Sequence, residues 1–325
     1  MKEKKINIGV LGCADIALRS VLPAIIGLPD LFDLKGIASR DKNKADNCAQ
    51  KFQTNPFYSY DNLIENENID AIYIPLPNAL HAVYIEKALN RGIHILVEKS
   101  LGCSLNEVQV LNRLAKKNNC VLIENFQFRF HPQMKVIIDL LQIGTIGELR
   151  SMRSSFGFPP FANKDNIRYN KSLGGGALLD AGAYPIKISQ IFLGYDLEVK
   201  GASLKMDDKS EVDIWGGGFL KQKEGQLFSE IAFGFDHFYQ CNLELWGSKG
   251  KLTTNRIFTA PANHEVEIIL ENNKGKEIIK VLAANHFKNM LNYFGKAIRS
   301  GRVHESEYFQ NINQARLIEE FKYKS

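Results

Sequence analysis

Short apolar runs alternate with amphipathic stretches through the first third of the chain. Residues 6–11, 34–38, 69–74, 93–97 and 121–123 are near-continuous aliphatic segments. That is the pattern of strands buried on both faces. Between them, residues 41–52, 79–91 and 104–118 carry apolar side chains at helical spacing, and 61–66 is a shorter helical piece. Asp41 is placed to cap one helix, Gly92 to close another, and Ser104-Leu105-Asn106-Glu107 reads as a capping box. Alternating strands and helices predict a doubly wound parallel sheet. Near Asn125 the rhythm changes. A helix is expected over 131–142, strand from 147 to 158, and loop over 159–173. Gly174-Gly175-Gly176 then introduces an apolar helix, 177–193. From 198 to about 281, strand-like runs such as 214–220, 229–235 and 241–246 are separated by turns, with no helices between them. They predict one large open, mostly antiparallel sheet. Helices over 285–299 and 306–322 close the chain. The expected division is 1–124 and 125–325.

Composition narrows the class. The chain has 325 residues, 45% hydrophobic and 24% charged, with a formal net charge of +5. This is ordinary for a globular protein of two domains. The positive balance suits an anionic ligand, but no dense basic tract points to nucleic acid. Lys2-Glu3-Lys4-Lys5 runs straight into the first strand without the apolar core of a signal peptide. No stretch approaches the ~18 apolar residues of a membrane span. Cysteines 13, 48, 103, 120 and 241 show no C-x-x-C spacing. They read as reduced thiols of a cytoplasmic protein, with no disulfide frame and no metal site.

The candidate chemistry sits at the strand ends. Gly12-Cys13-Ala14-Asp15-Ile16-Ala17 follows the first strand and opens a helix. Ala17 stands where a glycine-rich dinucleotide turn accepts Gly or Ala, and Ala14 replaces its second glycine. A pyrophosphate approaches backbone N–H groups at such a helix start. The first domain therefore reads as a Rossmann domain. Ser39-Arg40 ends the second strand, where an acid would hold a ribose 2′-hydroxyl and an Arg pairs with a 2′-phosphate. That predicts NADP(H). The other tips carry Leu76-Pro77-Asn78, Glu98-Lys99 and Glu124-Asn125. Lys99 placed in the crevice could donate a proton or polarise a carbonyl, whereas Glu98 points to the other face as a structural residue. Asp180 and Tyr184 are four apart in the helix after the triple glycine and share a face. Pro185 biases Tyr184 away from ideal helix. A carboxylate in that apolar run is costly unless paired or used, and Arg168 is a candidate partner. His81 alone reads as a packed histidine.

Taken together, the Gly12 turn, Pro77-Asn78-x-x-His81, Glu98-Lys99-Ser100 and the 174–184 segment resemble the Gfo/Idh/MocA oxidoreductases over essentially the whole chain. The resemblance implies an N-terminal Rossmann domain, a C-terminal α/β domain with an open sheet, and NAD(P)-dependent redox chemistry on sugars or cyclitols. The family's Glu-Lys-Pro lysine falls on Lys99, with Ser100 in place of Pro. Its Asp-x-x-x-His pair falls on Asp180 and Tyr184. That tyrosine is similar to the branch holding the dihydrodiol dehydrogenases and the sugar 3-ketoreductases of deoxysugar biosynthesis. The resemblance implies Lys99, Tyr184 and Asp180 as catalytic. It implies cofactor contacts from Gly12, Cys13, Ala14, Asp15, Ile16, Ser39, Arg40, Leu76, Pro77, Asn78, His81, Glu98, Lys99, Asn125 and Arg168.

The first expectation is an NADPH-dependent reductase of a ketone on a nucleotide-linked 6-deoxy sugar. The alternatives are an enzyme of free sugars or dihydrodiols, and a non-catalytic nucleotide-binding sensor. The open sheet, with few helices to cover it, predicts a homodimer or homotetramer.

Overall fold

The apolar runs fold into strands with scarcely an exposed side chain between them. The structure is a computed structural model describing residues 4–163, 165–301 and 305–325; Lys2 and Glu3 of the charged opening, and Lys164 of the expected loop, lie outside the described residues. Strands β1 (Ile6–Leu11), β2 (Phe32–Ala38), β3 (Asn55–Phe57), β4 (Ala71–Ile74), β5 (His94–Glu98) and β6 (Leu122–Asn125) form a parallel sheet in the order β3-β2-β1-β4-β5-β6. Ile8, Ile72, Tyr73, Leu96 and Ile123 are fully buried. Helices α1 (Leu22–Ile26), α2 (Lys42–Phe52), α3 (Tyr60–Ile64), α4 (Asn78–Asn90) and α5 (Leu105–Lys117) connect the strands. Their caps follow the sequence. Asp41 accepts from Lys44 N at 3.1 Å, and Ser104 Oγ from Glu107 N at 3.3 Å. The Glu107 carboxylate reaches back one residue further than a capping box requires, to Cys103 N at 2.7 Å. Strand β3 escaped the sequence pattern because it has three residues and contains Pro56. Such a strand is tolerated at the sheet edge, where it lies.

The remaining elements are α6 (Pro132–Gln142), β7 (Leu149–Gly157), α7 (Ala183–Leu193), β8 (Leu197–Met206), β9 (Asp213–Gln222), β10 (Phe228–Gly234), β11 (Gln240–Gly247), β12 (Gly250–Asn255), β13 (Val266–Asn272), β14 (Gly275–Val281), α8 (His286–Ser300) and α9 (Glu305–Lys324). Strands β7–β14 make an eight-stranded sheet in the order β14-β13-β12-β11-β7-β10-β9-β8. Only its β7–β10 pair is parallel. The apolar helix expected over 177–193 starts with a wide π turn, Leu178–Gly182, before α7 takes the regular spacing.

The chain divides into two compact units: Met1–Asn125 with Phe287–Ile312, and Phe126–His286 with Asn313–Ser325. A single cut after 124 misses this. Helix α8, expected in the second domain, belongs to the first unit, and α9 is shared. Side chains explain the sharing. In the first half of α9, Asn311 Nδ2 donates to Asn112 Oδ1 at 3.1 Å and Leu122 O at 3.2 Å, while Tyr308 OH donates to Cys120 O. In its second half, Gln314 Nε2 donates to Ala183 O at 2.8 Å and Gln314 Oε1 accepts from Gln190 at 2.6 Å. Amides buried this deeply must be bonded, so each half of the helix is committed to its own unit.

Buried histidines give the fold an acid limit. His131 and His286 meet edge to face at 5.9 Å and are both buried. Burial lowers the pKa of His131, and burial followed by the neighbouring His131 takes His286 to about 4. In the first unit, burial takes His81 to about 4 as well. A depressed histidine pKa means the native state binds fewer protons than the unfolded chain. Stability should therefore be flat above pH 6.5 and fall between there and about pH 4. At pH 5 the loss should be about 2 kcal/mol per ring for His81 and His286. Denaturant titrations at pH 7.5 and 5.0 check this, and His286→Gln should make the fall shallower.

Candidate active site

In an open parallel sheet, ligands bind beyond the carboxyl ends of the strands, where neighbouring connections run in opposite directions. Here that point lies beside β1, which sits between β2 and β4. The turn after β1 depends on Gly12, whose φ of 121° is left-handed. A Cβ at Gly12 would meet Leu76 Cδ2 at 3.0 Å, so any other residue there would crowd the Leu76 side chain beyond β4. Leu18 N donates to Ala14 O at 3.1 Å, starting the helix whose amino end faces the turn. Cys13 is half-buried, and burial followed by the neighbouring Cys48 pushes its thiol up to about 12. A thiol held protonated in this way is a poor nucleophile.

At the β2 tip, buried Ser39 accepts from Asp41 N at 3.2 Å, and Arg40 is exposed. The Arg40 guanidinium lies 5.9 Å from the centre of the Tyr60 ring. Tyr60 was not anticipated, because only the tertiary fold brings α3 to this tip. Burial raises the Tyr60 pKa, and Arg40 opposes that rise.

The β4, β5 and β6 tips are linked. Glu98 Oε1 accepts from Tyr73 OH at 2.6 Å and from Asn125 Nδ2 at 2.7 Å. Burial raises the Glu98 pKa, and these two donors pull it back. Glu98 thus ties the three strand tips together. Lys99, next along, is half-buried. Beyond it, Ser100 N donates to Asn78 Oδ1 at 3.2 Å and Leu101 N to Glu124 Oε1 at 2.9 Å. His81 is fully buried between two carbonyls. Asn125 Oδ1 is also buried, without a hydrogen-bond partner among the described residues. An unmet acceptor and the open Gly12 turn on one sheet edge fit a bound dinucleotide.

In the second unit, the triple glycine brings Arg168 to Asp180. Gly175 N and Gly176 N donate to Asn170 O and Arg168 O, each at 3.0 Å. A Cβ at Gly175 would lie 2.5 Å from Arg168 O, and Gly176 has a φ of 114°. The loop therefore lies against the helix start, and Arg168 Nε donates to Asp180 Oδ2 at 2.5 Å. Burial alone would lower the Arg168 pKa, but the Asp180 carboxylate outweighs it and keeps the guanidinium charged. The guanidinium also stacks over Phe161 at 4.7 Å. Asp213, unmarked in the sequence, accepts from Leu178 N at 2.5 Å and caps this helix start. Tyr184 is buried within 6 Å of four rings, Phe126, Phe128, Phe156 and Phe258. A separate concavity of about 740 Å³ on this unit, lined by Thr253, Asn255, Arg256, His264, Glu267 and Lys280 among others, holds none of the sequence-predicted site residues. No helix among the described residues is long and apolar enough to cross a membrane.

Fold and strand-edge chemistry together define an oxidoreductase built on a dinucleotide-binding α/β domain. Comparison with known proteins narrows this. A family model described as "Oxidoreductase family, NAD-binding Rossmann fold" matches residues 6–126, and the GFO/IDH/MocA C-terminal domain matches residues 134–253. The chain belongs to the GFO/IDH/MocA oxidoreductase family. It is 39% identical to dTDP-3,4-didehydro-2,6-dideoxy-alpha-D-glucose 3-reductase of Actinomadura kijaniata, over 97% of this chain and 94% of that one. It is 40% identical to the enzyme of the same name from Saccharopolyspora spinosa, over 92% and 89%. A crystal structure of a 3-ketoreductase from Actinomadura kijaniata with NADP and TDP-benzene superimposes with a TM-score of 0.95 at 37% identity, covering 99% of this chain and 98% of that one.

Arg40 places a positive charge at the β2 tip, with the Tyr60 ring 5.9 Å away. Replacing Arg40 with Asp should raise the KM for NADPH at least tenfold and favour NADH, through loss of an ion pair and gain of repulsion. Steady-state kinetics with both cofactors decide it, and equal use of the two by wild type would refute the assignment.

Proposed function

We propose that this protein reduces the C-3 ketone of a dTDP-linked 6-deoxy keto sugar with NADPH. The observation that carries this reading is the near-full-length likeness, at 39% and 40% identity, to two reductases of one such sugar. The site chemistry agrees with it. Arg40 at the β2 tip suits a 2′-phosphate, and the net charge of +5 suits a substrate bearing a diphosphate.

The reduced nicotinamide, when bound, supplies a hydride to the carbonyl carbon. The protein must then serve the oxygen, where negative charge develops. In this reading Lys99 gives the proton and Tyr184 hydrogen-bonds the same oxygen. Tyr184 is buried among four aromatic rings. Asp180, fixed by Arg168, orients the sugar. Gly12 to Ile16, Ser39, Arg40, Leu76 to Asn78, Asn125 and Arg168 form the cofactor set in this reading.

The test is NADPH oxidation with a dTDP-linked 3-keto sugar and with the free keto sugar. Remote binding energy orients the reacting carbon, so kcat/KM should fall at least a hundredfold without the nucleotidyl group. In the same assay Lys99→Met should lower kcat by about 10²-fold. Equal kcat/KM on the free sugar would favour the free-sugar reading instead, and no activity on any ketone would favour a sensor.

This reading includes self-association through the outer face of the eight-stranded sheet. Phe219, Glu230, Arg153, Glu244, Thr253, Ile269 and Ile278 stand in one row across seven strands. Arg153 lies 4.3 Å over the ring of Trp246, which is 40% exposed, and binds Glu230 at 2.7 Å. Eight strands of this length present roughly 800 Å², about one partner's share of a stable interface. Sedimentation should give a dimer or tetramer, and Trp246→Glu a smaller species. A monomeric wild type at tens of micromolar would refute it.

A further inference from the structure

His81 stands among the cofactor contacts implied by family resemblance, but its geometry assigns it other work. The ring is 0% exposed. Its two nitrogens lie 2.7 Å from two main-chain carbonyls, Nδ1 at Ser100 O and Nε2 at Leu76 O. Ser100 is the residue after Lys99, and Leu76 lies two residues past the end of β4. Asn78, three residues before His81, accepts from Ser100 N. The first turn of α4 thus holds both the N–H and the C=O of Ser100. Glu124 of β6 takes the next N–H, at Leu101. On the other side of Lys99 the chain enters β5.

We infer that His81, with Asn78, is a positioning residue: it fixes the main chain at Ser100 and, through it, the ammonium of Lys99. A lysine head on a four-carbon stem has no rigid geometry of its own. Its reach is set by where its Cα is held, and reacting groups displaced by about 1 Å lose rate steeply. An apolar side chain could fill the same space. It would offer neither carbonyl a donor, whereas the imidazole brings an N–H to one of them and sets its other ring nitrogen against the second. The inference rests on the reading of Lys99 as proton donor, and its test separates the two.

The experiment is a double-mutant cycle. His81→Leu and Lys99→Met are measured singly and together for kcat at saturating NADPH and dTDP-keto sugar. NADPH affinity is read by fluorescence and integrity by thermal melting. His81→Leu should lower kcat at least tenfold while the Kd for NADPH stays within about threefold. In the Lys99→Met background the same change should cost less than about twofold, because the group it positions is gone. His81→Gln, whose amide still donates to one carbonyl, should recover part of the loss. If His81→Leu fails to fold, Asn78→Ala replaces it in the cycle and should show the same non-additivity. Equal losses in both backgrounds would overturn the inference, leaving His81 a packing residue. An unchanged kcat with a raised Kd for NADPH would overturn it in favour of a cofactor contact. A Lys99→Met enzyme with wild-type kcat would overturn the reading of Lys99 itself, and this inference with it.

Discussion

The cofactor edge of the first unit depends on one carboxylate. Glu98 receives the Tyr73 hydroxyl and the Asn125 amide, so a single side chain joins the tips of β4, β5 and β6. A buried carboxylate is costly unless donors meet it, and Tyr73 and Asn125 are among those that meet this one. Parallel strands end with unpaired groups at one edge, and nothing in the ladder itself fixes how those ends splay. The Glu98 link supplies that restraint, and Lys99 inherits it as the next residue. His81, Asn78 and Glu124 complete it from the far side, so Lys99 sits between two anchored stretches of backbone.

The second unit solves a different problem. Asp180 lies in a run of small and apolar residues, where an unpaired charge would destabilise the helix start. Gly175 lacks the Cβ that would hold the 168–170 backbone away. Arg168 then reaches Asp180 from twelve residues upstream. The π turn over Leu178–Gly182 and the Asp213 cap belong to the same arrangement, since the helix begins under a loop that crowds it. A carboxylate fixed in direction by a guanidinium is ordered before any ligand meets it.

Much of this was legible in the sequence. The buried strands, the helix caps at Asp41 and Ser104, the turn at Gly12 and the antiparallel run after Glu198 follow from local rules. Apolar periodicity and capping chemistry act over a few residues, and a linear reading captures them. Ser39-Arg40, Glu98-Lys99 and Pro77-Asn78-x-x-His81 were recognisable because strand ends converge on one edge in any sheet of this kind. The pairing of Arg168 with Asp180 was a candidate because a carboxylate in an apolar helix requires a partner.

What tertiary structure alone decided depends on contacts between distant residues. The short edge strand β3, the approach of Arg40 to Tyr60 and the Asp213 cap have no local signature. The sharing of α9 between two units is set by Asn311 finding Asn112 and Leu122, about 190 residues away in sequence, and by Gln314 finding Ala183. His81 shows the division most plainly. Its position in a motif marked it for attention, but its task became visible only when two carbonyls from separate strand tips closed on its ring. Sequence patterning determines which side chains must be buried. Only the packed chain determines which backbone groups those side chains must satisfy once water is gone.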